Sequence, residues 1–310
     1  MRQTHRLLAR LVAALVAAIL AALSGVGAYA QPAATQAASP LPAPAPHPAL
    51  WKVADADTTI YLFGTIHALP PGIDWMNGPV RQALAASQQL VTEIPDTPIP
   101  EMTEAVKKNA MLPAGQNLRQ MLDDTQRGRF EAALTSFGLP VEIFDGYKPW
   151  YAAVALTALP LEKQGYKAQN GVEERIAAAA LKQGAPRMGL ETAEYQLAMF
   201  DSLPRDVQIT YLVQVLDGLP TIEKDLNAII AEWSAGDPAK LAELLNDKED
   251  DPRRVAALLT GRNRMWAKWI KARLARPGTV FMAVGAGHLA GKDSVQDLLG
   301  KAGVTVTRVQ

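Results

Sequence analysis

The sequence predicts an α/β (α+β) domain in which one central β-sheet is built from N- and C-terminal segments, with a large helical insert between them and helices flanking the sheet. Three observations carry that prediction. β-prone apolar runs gather at the two ends of the chain, within Trp51–Phe63 and Val280–Val309. The middle, from Glu101 onward, is punctuated by Pro and Gly in the manner of successive helices. Two motifs of the same form, Gly64-Thr65-Ile66-His67 and Gly285-Ala286-Gly287-His288, each close an apolar strand-like run, one at either end of the chain.

Taken in order, Trp51–Ala54 and Thr58–Phe63 flank an Asp-Ala-Asp turn and predict a hairpin that delivers His67 beyond its second strand. Gly78-Pro79 opens a helix to about Gln88, because Pro is favoured at the first helical position. Gln89–Ile94 reads as a strand stopped by Pro95. From Glu101 to about Ala158 the chain is mainly helical, interrupted at Pro113, Gly115, Gly138, Pro140 and Pro149. Gly171-Val172-Glu173-Glu174 opens a helix through Lys182, and Pro186–Glu191 is a short strand that ends in a carboxylate. Asp237-Pro238 and Asp251-Pro252 each read as an N-cap followed by Pro. A helix with Trp266, Trp269 and Ile270 is expected to pack on the sheet, with Arg262, Lys268, Lys271 and Arg273 as a solvated face. The chain closes with the strand Val280–Val284, the His288 loop, a helix near Asp293–Lys301 and a strand Val304–Val309. The terminal order of strand, Gly-x-x-His, helix, strand echoes the early one and suggests two related halves.

The N-terminus reads as an export signal over residues 1–30. Arg2, His5, Arg6 and Arg10 form a basic region, Leu11–Leu23 an apolar one, and Ala28-Tyr29-Ala30 a cleavage site. The competing reading is an uncleaved N-terminal membrane anchor. Residues 31–48 are an Ala/Pro-rich linker with almost no bulky apolar side chain, and His47 reads as a solvated member of it. The domain then runs over residues 49–310. No later stretch has the length of a charge-free membrane span. Export places the protein in the periplasm or outside the cell. Basic and acidic residues number 31 each, which gives no electrostatic reason to expect a nucleic-acid partner. The absence of Cys removes disulfides, thiolate nucleophiles and Cys-ligated zinc.

Four polar residues follow predicted strands: His67, Glu93, Glu191 and His288. Every histidine of the folded part belongs to this set. Ligands of helix-flanked sheets collect beyond the carboxyl ends of strands. Two imidazoles and one or two carboxylates meeting there suit a divalent metal with open positions, and a remaining carboxylate suits a general base. Each residue also has a plainer reading. His67 and His288 can simply end strands, Glu93 can pair with an Arg at a sheet edge, and Glu191 can cap the helix that begins near Ala193. Arg262 and Asn263 read as surface residues of a helix.

These same residues give the chain a resemblance to the TraB/PrgY/GumN family, which is related to the Tiki proteins. It rests on Tyr61–His67, Glu93, Gly171-Val172-Glu173, Gly189-Leu190-Glu191-Thr192 with Gln196, Arg262-Asn263 and Val284–Leu289. The resemblance implies a metal site at the two Gly-x-x-His motifs with acidic residues, and therefore His67, His288 and Glu93 as ligands. Glu173 stands where many relatives are expected to carry Asp. Tiki proteins are described as metal-dependent peptidases. The expectation is therefore an exported metal-dependent hydrolase acting on a peptide or protein substrate. Mn, Co or Zn would be its ion, Glu191 its base, and Arg262 a stabiliser of developing oxyanion charge. The alternative is a non-catalytic periplasmic binding protein or an envelope-associated protein, linked to polysaccharide biosynthesis through the GumN name.

Overall fold

The computed structural model describes residues 45–163, 166, 170–245 and 250–310. The signal peptide and residues 31–44 of the linker lie outside the described residues. The elements, in chain order, begin with β1 (Leu50–Ala54), β2 (Thr58–Thr65), α1 (Gly78–Ala86), β3 (Gln89–Thr92) and α2 (Ile99–Ala110). The helical insert continues with α3 (Asp124–Ser136), α4 (Pro149–Lys163) and α5 (Val172–Lys182), followed by β4 (Arg187–Gly189). Then come α6 (Ala193–Asp201), α7 (Arg205–Gly218), α8 (Ile222–Ser234), α9 (Pro238–Leu245), α10 (Pro252–Val255) and α11 (Gly261–Leu274). The chain ends with β5 (Gly278–Gly285), α12 (Val295–Lys301) and β6 (Thr307–Arg308).

The sheet has the order β4-β3-β5-β2-β1-β6. β2, β3, β4 and β5 are mutually parallel, and the β1–β2 hairpin and β6 add antiparallel pairs at one side. The C-terminal strand β5 is thus inserted between the two early strands β2 and β3, which makes the sheet a joint product of both chain ends. The hairpin forms where Asp55 folds back, its Oδ1 accepting from Asp57 N–H and Thr58 N–H. β5 is covered on both faces and so reads as an unbroken apolar run. Phe281 and Ala283 pack with Phe63, Trp75 and Trp233 on one face, while Val280, Met282 and Val284 pack with Ile60, Leu62, Trp266 and Ile270 on the other. The helical insert holds a separate apolar cluster around Phe130, Trp150, Leu156 and Leu212.

Most predicted helix starts stand as read. Asp237 Oδ1 accepts from Ala239 and Lys240 N–H, and Asp251 caps α10 through Arg253 N–H. Three expectations need correction. The last strand is two residues long rather than Val304–Val309, because Gly303 turns left-handed (φ +76°) and Val304 N–H closes α12 on Leu299 O at 2.9 Å. The echo of the two ends stops at the motif. β2-α1-β3 returns to a parallel strand of the sheet, whereas β5-α12-β6 ends in an antiparallel strand at its far edge. The final residues of the linker are also not loose. Pro46 O accepts from Asn77 Nδ2 (3.1 Å), His47 N–H donates to Ser234 O (2.8 Å) and Pro48 O accepts from Gln310 Nε2 (2.9 Å). The His47 side chain itself is exposed. No helix among the described residues is long and apolar enough to cross a membrane.

Candidate functional site

Because β2, β3, β4 and β5 are parallel, their carboxyl ends share one edge of the sheet. His67 lies two residues past β2, Glu93 directly after β3, Glu191 two residues past β4, and His288 in a short 3-10 turn, Ala286–Leu289, after β5. The two motifs sit on neighbouring strands, with Thr65 opposite Gly285. Gly285 is the hub. A methyl group placed on its Cα would lie 3.1 Å from Glu93 Oε1, 3.5 Å from His67 Nε2 and 3.6 Å from His288 Cδ2. Those last two distances limit the separation of the two ring atoms to about 7 Å. Gly285 N–H also donates to Glu93 Oε1 at 2.7 Å. Gly64 serves close approach as well, since its Cα faces Ala286 Cα with only 3.0 Å to spare for a Cβ, and its carbonyl accepts from Trp233 Nε1 at 2.8 Å.

Each imidazole is held through Nδ1 by an oxygen. His67 Nδ1 donates to Glu173, which also accepts from the Thr65 hydroxyl. Glu173 is delivered by the first turn of α5, whose Val172 N–H is anchored on Ile66 O at 3.0 Å. Burial lowers the His67 pKa, but the Glu173 carboxylate outweighs it and leaves the ring with a raised one. His288 Nδ1 meets Asn263 Oδ1 at 2.6 Å. The Asn263 amide is oriented by its Nδ2, which donates to Asp293 O at 2.9 Å, so the oxygen faces the ring and the imidazole donates. His288 Nε2 meets Arg262 Nη1 at 3.1 Å, and since a guanidinium only donates, Nε2 accepts. The His288 ring packs on Trp266, with centroids 4.4 Å apart.

Arg262 contradicts the surface reading of its helix, being only 3% exposed, and Asn263 is 1% exposed. Its five N–H groups are all committed. Nε donates to Glu191 (3.0 and 3.1 Å), Nη2 to Glu93 Oε2 (2.6 Å) and Glu191 Oε2 (2.8 Å), and Nη1 to His288 Nε2 (3.1 Å) and Leu258 O (3.4 Å). The guanidinium also lies over the Trp266 ring at 4.7 Å. As placed, Arg262 has no donor left for a substrate oxyanion, which corrects that expectation. Glu191 does not cap α6. That task falls to Thr192, whose hydroxyl accepts from Tyr195 N–H at 3.1 Å. Nor do its surroundings suit a general base. Oε1 accepts from Arg262 and Trp266 Nε1 (3.0 Å), and Oε2 from Arg262 and Gln196 Nε2 (3.0 Å). Glu93 follows β3, an interior strand rather than an edge strand, but it does pair with an Arg. Burial pushes its carboxyl up, and the Arg262 guanidinium above all overrides this, holding it well below the usual carboxylate range.

Among the described residues no three His, Asp or Glu side chains stand close enough to enclose one ion as placed. Arg262 lies between Glu93 and His288, whose Oε1 and Nε2 are 3.9 Å apart. The donor chemistry nevertheless fits a divalent cation. Both rings have Nδ1 on an oxygen, as metal-ligating imidazoles do, and His67 turns Nε2 toward Gly285, whereas His288 Nε2 meets Arg262 and lies 3.9 Å from Glu93 Oε1. Glu93, Glu191 and Glu173 bring three carboxylates against the single guanidinium of Arg262, with side chains at most 16% exposed. Even with His67 protonated, as its raised pKa favours, the carboxylates outnumber the cations in a buried place, and buried charge calls for compensation.

The sequence placed Trp266 against the sheet but gave it no part in the site, and gave none to Asn263, Gln196 or Glu173, which with it orient the rings and carboxylates. Asn263 shares the stripe of α11 that carries Trp266 and Ile270, the signal that could have placed it inward.

A model of the TraB/PrgY/gumN family matches residues 49–308. Among curated relatives, the uncharacterized protein YbaP of Escherichia coli (strain K12) is 27% identical over 190 residues, 61% of this chain and 70% of that protein. An uncharacterized protein of Treponema pallidum (strain Nichols) is 20% identical over 267 residues, 81% of this chain and 80% of its own length. No solved structure matches the chain.

Proposed function

Since the chain belongs to the TraB/PrgY/gumN family, we propose that it is an exported hydrolase that cleaves peptide bonds with the help of a divalent ion, Mn, Co or Zn. His67, His288 and Glu93 would hold the ion, which supplies a polarised carbonyl and an acidified water when bound. One observation supports the reading: two imidazoles, each oriented through Nδ1 by an oxygen, flank Gly285 and Glu93, with His67 Nε2 beside Gly285 and His288 Nε2 3.9 Å from Glu93 Oε1. The buried excess of carboxylates supports it, because a divalent cation would offset that charge. Glu173 and Asn263 fix the two rings. Glu191 and Gln196 hold Arg262 and Glu93 in place. Export and a periplasmic or secreted location rest on the N-terminal signal pattern.

A second reading, a non-catalytic binding or envelope protein, draws on the saturation of Arg262 and Glu191, a pattern expected of a purely structural ion cluster. Hydrolysis of an unstructured protein such as casein, with and without added Mn, Co or Zn, separates the two. Ion-stimulated cleavage that disappears in His67→Ala and His288→Ala supports the hydrolase. Cleavage that survives in both variants would remove the two histidines from the reaction, and no cleavage with any of the three ions leaves the second reading in its place.

A further inference from the structure

We infer that the wide helical turn Ala256–Thr260, admitted by Gly261, is the element that sets Arg262 and Asn263 into the candidate site, which makes Gly261 a positioning residue. The inference rests on the reading of that centre as the working site. Its test reads bonding at the centre and not hydrolysis, so that either can fail alone. The helix does not break between α10 and α11. It passes through five residues of π geometry, after which Gly261 N–H reaches back five positions to Ala256 O rather than four. Such turns are rare and gather at functional sites.

Buried contacts fix the helix on both sides of the turn. Upstream, Arg254 is 2% exposed, pairs with Asp250, donates to Gln214 Oε1 at 2.8 Å and lies over the Tyr211 ring at 4.7 Å. Leu258, inside the turn, belongs to the apolar cluster of the helical insert. Downstream, Trp266, Ala267 and Ile270 are committed to the sheet. Eight residues of uninterrupted α-helix would rotate Arg262 about 80° away from Arg254. The extra residue of the turn takes back about 100° and leaves the two about 20° apart. Arg262 then lies one turn before Trp266 on the buried side, and Asn263 one turn before Ala267. The turn also lies beside α6, which carries Gln196, and beside Ala286–Leu289, which carries His288. Its Leu258 O accepts from Arg262 Nη1 at 3.4 Å, so the turn touches the guanidinium that it aims.

Gly261 has φ −62° and ψ −46°, ordinary right-handed helix, so torsion does not require glycine there. Space does. A Cβ would stand 2.6 Å from Ala256 O, a main-chain oxygen already engaged by the N–H of Gly261, which cannot swing aside as a side-chain end would. With any other residue the turn must open or revert to α geometry. Reversion rotates Arg262 and Asn263 by about 100° relative to Arg254.

NMR of the labelled full chain tests this. In the wild type, coupling across the hydrogen bond should join Gly261 N to the Ala256 carbonyl carbon, and coupling to the Ala257 carbonyl carbon instead would overturn the inference. Gly261→Ala should speed water exchange of the Arg262 Nε and Trp266 Nε1 protons, both held by Glu191, at least about tenfold. The Trp233 Nε1 proton, held on Gly64 O, should stay protected. Gly128→Ala, in α3 with open space around it, should move none of the three. Unchanged exchange in Gly261→Ala would overturn the inference. So would equal acceleration of all three protons, which marks a loss of stability throughout. Deletion of the exposed Ala256 straightens the turn without the collision. It should likewise free the Arg262 Nε proton, and a folded deletion variant that keeps this proton protected would overturn the inference.

Discussion

Gly285→Ala isolates the space at the centre from the fold around it. Gly285 has φ −49° and ψ 133°, a backbone conformation open to alanine, so the substitution introduces no torsional strain. The new methyl would meet His67 Nε2 at 3.5 Å and His288 Cδ2 at 3.6 Å, ordinary contacts, and Glu93 Oε1 at 3.1 Å, which requires a shift of a few tenths of an ångström. A displacement of that size in one carboxylate costs on the order of 1 kcal/mol. Replacing Gly by Ala returns about 0.4–1 kcal/mol by restricting the unfolded chain. Net stability should therefore change by about 1 kcal/mol or less, a Tm shift of about 4 °C at most. Ion binding is affected differently, because the methyl occupies the space toward which Glu93 Oε1 and His67 Nε2 face. Ligand bonds of ~2.0–2.2 Å leave no slack there, and affinity should fall by about a hundredfold or more. Circular dichroism melting and calorimetric titration with Zn(II) read the two effects separately. Wild-type affinity in Gly285→Ala would refute the placement of the centre. A Tm loss above about 10 °C would show that the glycine serves packing rather than the site.

Glu191→Ala should destabilise the fold by about 3–5 kcal/mol in urea unfolding, since it strips the anchor from a buried guanidinium, and Glu191→Gln should lose less. Equal, small losses would show that Arg262 is solvated in practice. Zn(II) uptake should release protons and tighten as pH rises, because His67 carries a raised pKa and must lose its proton to act as a ligand. Calorimetry in buffers of different ionisation enthalpy measures this, and affinity that is flat or falls with pH across the neutral range would contradict it. Tyr211, buried and with its pKa pushed up to about 12, favours the protonated phenol in the fold. Its contribution is fully present below the unfolded value near 10 and is lost as pH climbs toward 12. Tyr211→Phe should accordingly be less alkali-sensitive in urea melts than the wild type. A chain beginning at Ala49 should melt a few degrees below one beginning at Ala45, since it lacks the bonds made by Pro46, His47 and Pro48. Identical melting temperatures would return those residues to the linker.

The strand-end residues were legible in the sequence because the strands themselves were. β2 and β5 alternate or run apolar without ambiguity, and each stops at a Gly-x-x-His, so His67 and His288 are placed by local pattern alone. What escaped was decided at long range. Arg262 sits on a helix rich in Arg and Lys and reads as solvated. Two carboxylates, 71 and 169 residues away in the chain, draw it inward. Glu191 looked like a helix cap because a carboxylate before Ala193 can be one. The side chains of Gln196 and Trp266, invisible to local pattern, turn it toward the centre. The last strand was overread because Val304 and Val306 are β-prone, whereas a left-handed glycine had already committed Val304 to the end of a helix.

Metal analysis of the purified protein after exposure to Mn, Co and Zn and removal of free ion tests the central claim most directly. Approximately one equivalent of divalent ion should remain per chain in the wild type and be absent from the folded His67→Ala/His288→Ala protein. An ion-free wild type, or an equivalent retained by the double variant, would contradict the account.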